Sequence, residues 1–263
     1  MASLAVALTF KNNSRTLPLL LASVAGLADE IVAIDSGATD ASADLVRAAP
    51  GARVIRHDWI GYAATKKLAV DACSRPWILL LDSDESLEPD LRASVAELLA
   101  ADPPDTAACR VNRKTWYAGA PLDHAWQPEW RLRLFRRGRV RFSGFDPHES
   151  LVVDPSDRAP SRVVDLRGTL RHDSFETIAE HLARCAHYAS IAGDALVSQG
   201  RRGSLARAVL SPPGAFLKQM VLKGAWRDGV RGWLAAGSTA AATLMKHLVL
   251  IEKSRVEPGR RRT

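Results

Sequence analysis

Cysteine is scarce in this sequence and is spread along it without a pattern. The three cysteines, Cys73, Cys109 and Cys185, are odd in number and far apart, and none belongs to a Cys-x-x-Cys pair. A disulfide framework and a cysteine-based zinc site both need more cysteines at closer spacing. The sequence therefore suggests neither, and a reducing cytosol fits it best.

Long hydrophobic runs are also lacking. Residues 232–245 contain no charged side chain, but these 14 residues fall short of the roughly 20 that cross a bilayer. At the other end, residues 1–13 have no basic segment before their apolar part and so differ from a secretory signal. We therefore expect a protein that is made and kept inside the cell, without a membrane-spanning segment.

Acidic residues are few in the last quarter of the chain. Residues 201–263 contain 13 basic and 3 acidic side chains, a net charge of +10, whereas the whole protein carries +7. The first 200 residues are therefore slightly acidic. Because the excess positive charge lies at one end, an anionic partner is expected there.

Short apolar runs alternate with helical patterns over the first hundred residues. This alternation predicts an α/β fold with a mostly parallel sheet that is flanked by helices. Two further strands, 110–117 and 131–142, have alternating polar and apolar positions and predict an antiparallel or mixed continuation, followed by a helix over 174–198. The predicted strands of the first part are 4–10, 30–35, 52–57 and 77–82, and its helices are 17–27, 41–49, 63–73 and 89–101.

Polar residues follow three of the predicted strands. Thr9, Asp35 and Asp82 mark the ends of the first, second and fourth strands. Ligands of an open parallel sheet bind at the carboxyl ends of its strands, so these three positions predict one site at one edge. Ordinary turns and helix caps are the alternative explanation for each cluster taken alone.

The sequence LLLDSDES, residues 79–86, is the sharpest local feature. Asp82 and Asp84 are separated by one residue and directly follow an apolar strand. Two neighbouring carboxylates suit Mg²⁺ or Mn²⁺, which commonly bridge to substrate phosphates. The alternative is a solvated loop that caps the helix beginning at Pro89.

Several segments together resemble the family 2 inverting glycosyltransferases, which have the GT-A fold. The first four are AVALTFKNNS, ADEIVAIDSGATDAS, WIGYAATKKLAVDA and WILLLDSDES, and the later ones include WYAGAPLDHAWQPEWRLRLFRRGRVRF, HES and LRHDSF. The later segments are similar to the lipopolysaccharide core biosynthesis branch, which typically transfers glucose to a core heptose. The resemblance implies a catalytic domain over 1–200 and a helical extension over 201–263.

The resemblance also implies roles for individual residues. Thr9 and Asp35 would hold the base and ribose of a nucleotide sugar, most simply a UDP-sugar. Asp82 would lie near the ribose and a divalent metal ion, and Asp84 would be the principal metal ligand in this DXD motif. His172 would contact the metal or the diphosphate, or alternatively would be a hydrogen-bonded histidine that leads into the next helix.

Basic residues are expected to contact the diphosphate of the donor. Lys66 matches the lysine of a helix motif in the family and would lie near phosphate. Among Arg131, Arg133 and Arg136, a planar guanidinium suits the leaving diphosphate, and one of the three is expected to make that contact. A solvated strand face is the alternative for the others.

An inverting transfer needs a base that removes the proton of the acceptor hydroxyl. Glu149 is the expected base. His148 is its competitor, or would orient Glu149, because an imidazole titrates nearer to neutral pH. A surface loop after Pro147 is the alternative for both residues.

The C-terminal region predicts an association with a membrane surface. Basic residues next to apolar ones, such as Lys218, Lys223, Trp226 and Arg227, combine attraction to anionic lipid with shallow burial. A lipid-linked saccharide acceptor and a location at the cytoplasmic face of the inner membrane would follow. A helical hairpin that closes the fold, or a dimer interface, is the alternative.

Two other classes of protein remain as alternatives. A phosphatase of the haloacid dehalogenase type would use Asp82 as nucleophile and Asp84 as acid and base, but its motif follows the first strand, and here three strands precede it. A nucleic-acid-binding protein would agree with the basic pI of about 9.7, but no known binding motif is present. No nucleic acid is therefore expected as a partner.

Overall fold

A computed structural model of the protein describes residues 1–144, 150–154 and 161–256. The chain divides into two compact units. Unit 1 consists of Met1–Arg113 and Glu129–Asp173, and unit 2 consists of Lys114–Pro128 and Ser174–Thr263. The domain boundary expected near residue 200 lies within unit 2.

Unit 1 is built on a mixed sheet whose first four strands in order, β3-β2-β1-β4, are parallel. The sheet continues through β8, β6, β11 and β5, and β8 pairs antiparallel with both β4 and β6. The strands are β1 Leu4–Phe10, β2 Glu30–Asp35, β3 Ala52–Arg56, β4 Trp77–Asp82, β5 Glu85–Leu87, β6 Thr106–Tyr117, β7 Ala120–Pro121, β8 Trp130–Arg136, β9 Val140–Ser143, β10 Ser150–Val153 and β11 Arg162–His172.

Helices cover both faces of the parallel part, because its strands are apolar on both faces. Alternate residues of β1 and β4 enter two separate hydrophobic clusters, one on each side of the sheet. Leu17 of the first helix and Leu91 of the fourth pack in one cluster, and Ala69 of the third packs in the other. The helices are α1 Leu17–Val24, α2 Ser42–Arg47, α3 Tyr62–Asp71, α4 Pro89–Ala101, α5 Ile178–Ser198, α6 Leu205–Leu217 and α7 Gly229–Ile251.

The structure confirms the predicted α/β class and differs from the predicted elements in several details, including the strands β10 and β11, which were not predicted. The arginine-rich segment 131–142 forms two strands, β8 and β9, because Gly138 turns the chain with a φ of 79°. A short strand, β5, directly follows the DSD sequence and pairs antiparallel with β11. This pairing was not predicted, and it positions a histidine of the site described below.

Unit 2 is helical and has its own core. Tyr117 contacts Phe175 edge to face, with ring centroids 5.1 Å apart, and the indole nitrogen of Trp126 donates to Thr239 at 2.9 Å. Gly232 of α7 lets the backbone of Ala225 approach so closely that a β-carbon would lie 1.7 Å from its carbonyl oxygen. One face of α7 is therefore packed within unit 2.

The helical segment that contains α7 is longer than its charge-free run. Ala225–Arg255, with 31 residues and a mean hydropathy of 1.4, is long and apolar enough to cross a membrane by length and composition alone. The expectation of no spanning segment counted 14 charge-free residues and took Lys246 and His247 to interrupt the run before Ile251. The apolar window of this segment is 22% buried inside the structure.

Candidate active site

The register of the sheet brings the three predicted polar strand ends together. Within the parallel part, Thr9 lies opposite Asp82 of β4, and the next residue, Phe10, lies opposite Asp35 of β2. Asp35 and Asp82 are therefore at the same edge of the sheet, on either side of β1. This is the carboxyl edge, where a parallel sheet binds its ligands.

Asp35 holds the turn that follows β2. Its Oδ1 accepts hydrogen bonds from the backbone nitrogens of Gly37 at 2.9 Å and Ala38 at 2.7 Å, and its Oδ2 accepts one from Arg56 at 3.0 Å. Burial by itself would raise the pKa of Asp35, but these donors hold the pKa below its usual value. The carboxylate is thus charged and fixed, and only 4% of its side chain is exposed.

The loops after β1 and β2 are joined by side-chain hydrogen bonds. Asn12 Oδ1 accepts from the backbone nitrogen of Thr39 at 2.8 Å, and the backbone nitrogen of Ser14 donates to Asp40 at 3.1 Å. These bonds cross between two consecutive loops at the carboxyl edge. The two loops therefore form one ordered wall of the site.

The turn containing the two aspartates is fixed from both sides. The Thr16 hydroxyl donates to the carbonyl of Ser83 at 2.7 Å, and the backbone nitrogen of Asp173 donates to the carbonyl of Asp84 at 2.8 Å. Within the turn, the backbone nitrogen of Asp82 donates to Glu85 at 3.1 Å. The carboxylates of Asp82 and Asp84 are consequently held on a rigid backbone.

Two cations hold the carboxylate of Asp82. The Lys66 ammonium lies 2.5 Å from Oδ1, and the Arg133 guanidinium lies 2.7 Å from Oδ2. Burial by itself would raise the pKa of Asp82, but Arg133 and then Lys66 hold it well below its usual range. Asp82 is therefore ionised, and both of its oxygens have cationic partners.

A buried chain of charges continues from Arg133. The same guanidinium nitrogen lies 2.6 Å from Glu85, whose side chain is fully buried, and Arg113 reaches the same Glu85 oxygen at 3.3 Å. Arg113 also binds Glu129 through two hydrogen bonds of 3.0 and 2.7 Å. Burial would raise the pKa of Glu129, but Arg113 and Arg131 lower it to about 2.

Asp84 faces His172. The nearest atoms, Asp84 Oδ2 and His172 Nε2, are 3.6 Å apart, and about 19% and 14% of the two side chains are exposed. His172 of β11 is paired in register with Glu85 of β5, and this pairing brings His172 next to Asp84, the residue before Glu85. Burial would raise the pKa of Asp84, but His172 lowers it, against the opposing effect of the negative charge on Asp82.

Asp84 and His172 fit a divalent cation in chemistry and position. Their separation is longer than a good hydrogen bond, so a cation can bind between a carboxylate oxygen and an imidazole nitrogen without breaking one. Asp82 fits less well, because Lys66 and Arg133 already hold both of its oxygens. Accordingly, the described residues contain no group of three or more His, Cys, Asp or Glu side chains arranged to hold a metal.

The predicted arginines separate into different places. Arg133 reaches the site, and Arg131 lies 2.6 Å from Glu129 beside it. Arg136 is paired in register with Trp77 and binds Asp102, so it lies at the opposite end of β4 from Asp82. Arg136 is therefore not available for a diphosphate at the carboxyl edge.

The two predicted bases, His148 and Glu149, lie outside the described residues. Conversely, sequence reasoning missed Arg113 and Glu129. The alternation of β6 gave a signal for Arg113, because it places this arginine on the same face of the strand as the buried Val111 and Tyr117. Nothing in the sequence indicated Glu129 as its partner, because β8 must first pair with β6.

Residues 5–148 match the glycosyl transferase family 2, and the chain belongs to that family. It is 32% identical over 216 residues to the lipopolysaccharide core biosynthesis glycosyltransferase LpsC of Rhizobium meliloti (strain 1021), covering 79% of this chain and 77% of that protein. It is 24% identical over 249 residues to an uncharacterized glycosyltransferase of Rickettsia typhi, covering 93% and 85% of the two chains.

The fold is also similar to solved glycosyltransferase structures. The crystal structure of S. aureus TarS 1-349 in complex with UDP-GlcNAc matches with a TM-score of 0.50 and 13% identity, over 97% of this chain and 92% of that one. The sheet and its flanking helices are thus the GT-A fold. The protein is a glycosyltransferase, and open parallel sheets in general bind their ligands at the carboxyl edge of their strands.

Proposed function

We propose that the protein catalyses the inverting transfer of a hexose, most simply glucose, from a UDP-sugar to a lipid-linked saccharide. The observation that carries this proposal is the arrangement of Asp82, Asp84 and His172 beside Lys66 and Arg133 at one edge of the sheet. A nucleoside diphosphate brings negative charge to that edge. Side-chain cations and a divalent metal ion are the groups that neutralise such charge.

Support for the donor and acceptor comes from the related proteins. The TarS structure contains UDP-GlcNAc, and LpsC is a lipopolysaccharide core biosynthesis glycosyltransferase. We therefore take a UDP-sugar as donor and a lipopolysaccharide core or a similar membrane-held saccharide as acceptor. Such an acceptor would require the enzyme at the cytoplasmic face of the inner membrane.

Each described residue then has a chemical role. Asp84 and His172 would hold Mg²⁺ or Mn²⁺, with Asp82 nearby, and the ion would stabilise the charge that develops on the leaving diphosphate. Lys66 and Arg133 would bind phosphate oxygens, and Thr9 and Asp35 would contact the base and ribose. Asp35 would do this from a fixed position, because backbone nitrogens and Arg56 already orient it.

A panel of UDP-, GDP- and ADP-sugars tests the donor. Thermal unfolding with each compound, with and without Mn²⁺, should show stabilisation by a UDP-hexose that depends on the metal. A ligand at about one hundred times its Kd stabilises the native state by about 2.7 kcal/mol. Failure of every nucleotide sugar to stabilise the protein, together with hydrolysis of a simple phosphate ester, would instead favour the phosphatase.

Glu149→Gln tests the base, with His148→Gln as its matched control. We expect Glu149→Gln to reduce kcat by about a hundredfold or more, because general base catalysis contributes that much to proton transfer. Binding of the donor, measured by calorimetry, should not change. If His148→Gln lost the activity and Glu149→Gln retained it, His148 would be the base.

A further inference from the structure

Unit 2 exposes large apolar side chains to an unusual extent. More than half of the exposed large hydrophobic residues in the described part of the chain lie between Leu205 and Leu248. Seven of them are between 58% and 79% exposed and define what we call the apolar ridge: Leu205, Val209, Leu210, Val221, Leu222, Trp226 and Val230. A group of this kind on a folded surface marks an interaction site.

The sequence of α6 places its apolar residues on the outer face. Leu205, Val209, Pro213 and Leu217 follow one another at intervals of four residues and are all exposed, whereas Ala208 is buried. A helix on a water-facing surface has polar residues at the positions that point outward. The exposed face of α6 is therefore suited to an apolar environment.

The ridge extends onto the next helical elements of unit 2. The rings of Phe216 and Trp233 are 5.7 Å apart, and they connect the end of α6 with the start of α7. The Arg227 guanidinium lies over the ring of Trp226 at 5.2 Å. Large aromatic rings with adjacent arginines are typical of proteins that sit at the boundary between headgroups and lipid chains.

The charges around the ridge are almost all positive. Between residues 195 and 251 there is one acidic residue, Asp228, against eight lysines and arginines. Asp228 is only 4% exposed, and its carboxylate accepts hydrogen bonds from three backbone nitrogens, Asp123, His124 and Ala125. The solvent-facing surface of this segment is therefore cationic, with Arg201, Arg202, Arg207 and Lys218 all exposed.

We propose that the apolar ridge inserts into the surface of an anionic membrane, with the surrounding arginines and lysines on the lipid phosphates. Charge complementarity favours an anionic membrane over a second copy of the chain, because a symmetric dimer would bring two sets of exposed basic residues together. The protein lies on the membrane and does not cross it, because Gly232, Ala235 and Ala236 on the other face of α7 are packed within unit 2.

This inference rests on the proposed function only for its purpose, which is to hold the enzyme beside a membrane-held acceptor. The apolar part of the membrane-binding free energy comes from the ridge, and the electrostatic part comes from the exposed basic residues around it. Each basic residue near an anionic membrane contributes about a fivefold change in affinity at moderate ionic strength. Substitutions in the ridge and among these basic residues should therefore weaken binding by two separable mechanisms.

Sedimentation with lipid vesicles tests the proposal. The full chain should bind vesicles of phosphatidylcholine with about 30% phosphatidylglycerol, should bind neutral phosphatidylcholine vesicles at least about tenfold more weakly, and should lose affinity as salt is raised. The triple variant Val209→Ser, Leu222→Ser, Val230→Ser should bind anionic vesicles at least about tenfold more weakly. Its control is Val163→Ser, an exposed valine of unit 1.

The charge variant is Arg201→Gln, Arg202→Gln, Arg207→Gln, and its control is Arg47→Gln, Arg162→Gln, Arg167→Gln, three exposed arginines of unit 1. The charge variant should lose most of the salt-dependent affinity, and the control should not. Unchanged binding of the ridge variant, or no binding of the unmodified chain, would overturn the proposal. The proposal would also be overturned if sedimentation velocity showed a dimer that the ridge substitutions dissociate and the unmodified chain did not bind vesicles.

Donor binding measured without vesicles separates this proposal from the proposed function. All variants should retain the metal-dependent thermal stabilisation by a UDP-sugar, which also shows that they are folded. If the unmodified chain binds the UDP-sugar but not vesicles, the membrane proposal fails and the glycosyltransferase proposal stands. If the unmodified chain binds vesicles but no nucleotide sugar, the membrane proposal stands and the glycosyltransferase proposal fails.

Discussion

Asp84→Ala is expected to lower the rate of sugar transfer at least about a thousandfold, because a metal ion at a developing diphosphate contributes several kcal/mol to the stability of the transition state. In the structure, Asp84 is the carboxylate of the DSD turn that carries no lysine or arginine partner closer than His172 among the described residues. Its removal leaves one donor, His172, too few to hold a divalent cation. The measurement is transfer from the UDP-sugar, with calorimetry of donor binding in the presence and absence of Mn²⁺.

The control for this variant is Asp44→Ala, which removes an exposed aspartate of α2. Asp44→Ala should leave transfer and metal-dependent binding unchanged. Since the turn is held through the backbone carbonyls of Ser83 and Asp84, the Asp84 variant should keep the fold and the thermal unfolding profile. Transfer at the unmodified rate in Asp84→Ala would refute a metal role for this residue.

Glu85→Ala is expected to destabilise the protein by about 3 to 5 kcal/mol, because it leaves a buried network of ion pairs with one positive charge in excess, although Arg133 keeps Asp82 and Arg113 keeps Glu129 as partners. Glu85 is fully buried and lies 2.6 Å from Arg133 and 3.3 Å from Arg113. Its other carboxylate oxygen accepts the backbone hydrogen bond of Asp82. Urea unfolding, followed by circular dichroism, measures the change in the free energy of unfolding.

Glu97→Ala is the matched control, because Glu97 forms an ion pair with Arg167 on the surface and both side chains are more than 60% exposed. Exposed pairs contribute at most about 1 kcal/mol. The double variant Glu85→Ala, Arg133→Met removes one carboxylate and one guanidinium, restores the charge balance of the network and should recover part of the loss. A change in the free energy of unfolding as small as that of the control would show that Glu85 is not part of a critical charge network.

The parallel half of the fold could be predicted because its strands are buried on both faces. β1, β2 and β4 are nearly continuous apolar runs, and the structure gives them the predicted bounds. Their ends are polar because the chain leaves the core there. The position of Asp35 and Asp82 at one edge could be predicted because each is the polar end of a buried strand and the strands are parallel.

The partners of those aspartates could not be predicted in the same way. Arg113 and Glu129 meet only after β6 and β8 have paired antiparallel, and the register of that pair contains an irregularity between Cys109 and Arg110. His172 lies beside Asp84 because β11 pairs with β5, a three-residue strand with only one apolar residue that directly follows the DSD motif. Contacts of this kind depend on tertiary pairing and have no periodicity along the chain.

The position of Arg136 shows the limit of reading a charge run. Arg131, Arg133 and Arg136 lie on one strand, and the sequence gave no means of choosing among them. Because β8 runs antiparallel to β4, residues at its two ends lie at opposite edges of the sheet. Strand direction, which the sequence left open in this region, therefore decided which arginine reaches the carboxylates.

The two cations on Asp82 have a consequence for which molecules can enter. Lys66 and Arg133 are already paired with Asp82, and Arg133 also with Glu85, so an incoming anion must exchange with these carboxylates before it gains the full charge of the two cations. A neutral sugar has no negative charge with which to replace a carboxylate. A singly charged phosphate ester would replace one negative charge with another and gain no net attraction. In the proposed reaction, a pyrophosphate, with its charge spread over two linked groups, would gain one cation without fully displacing the other, and the ion pairs would thereby act as a threshold against weakly charged metabolites.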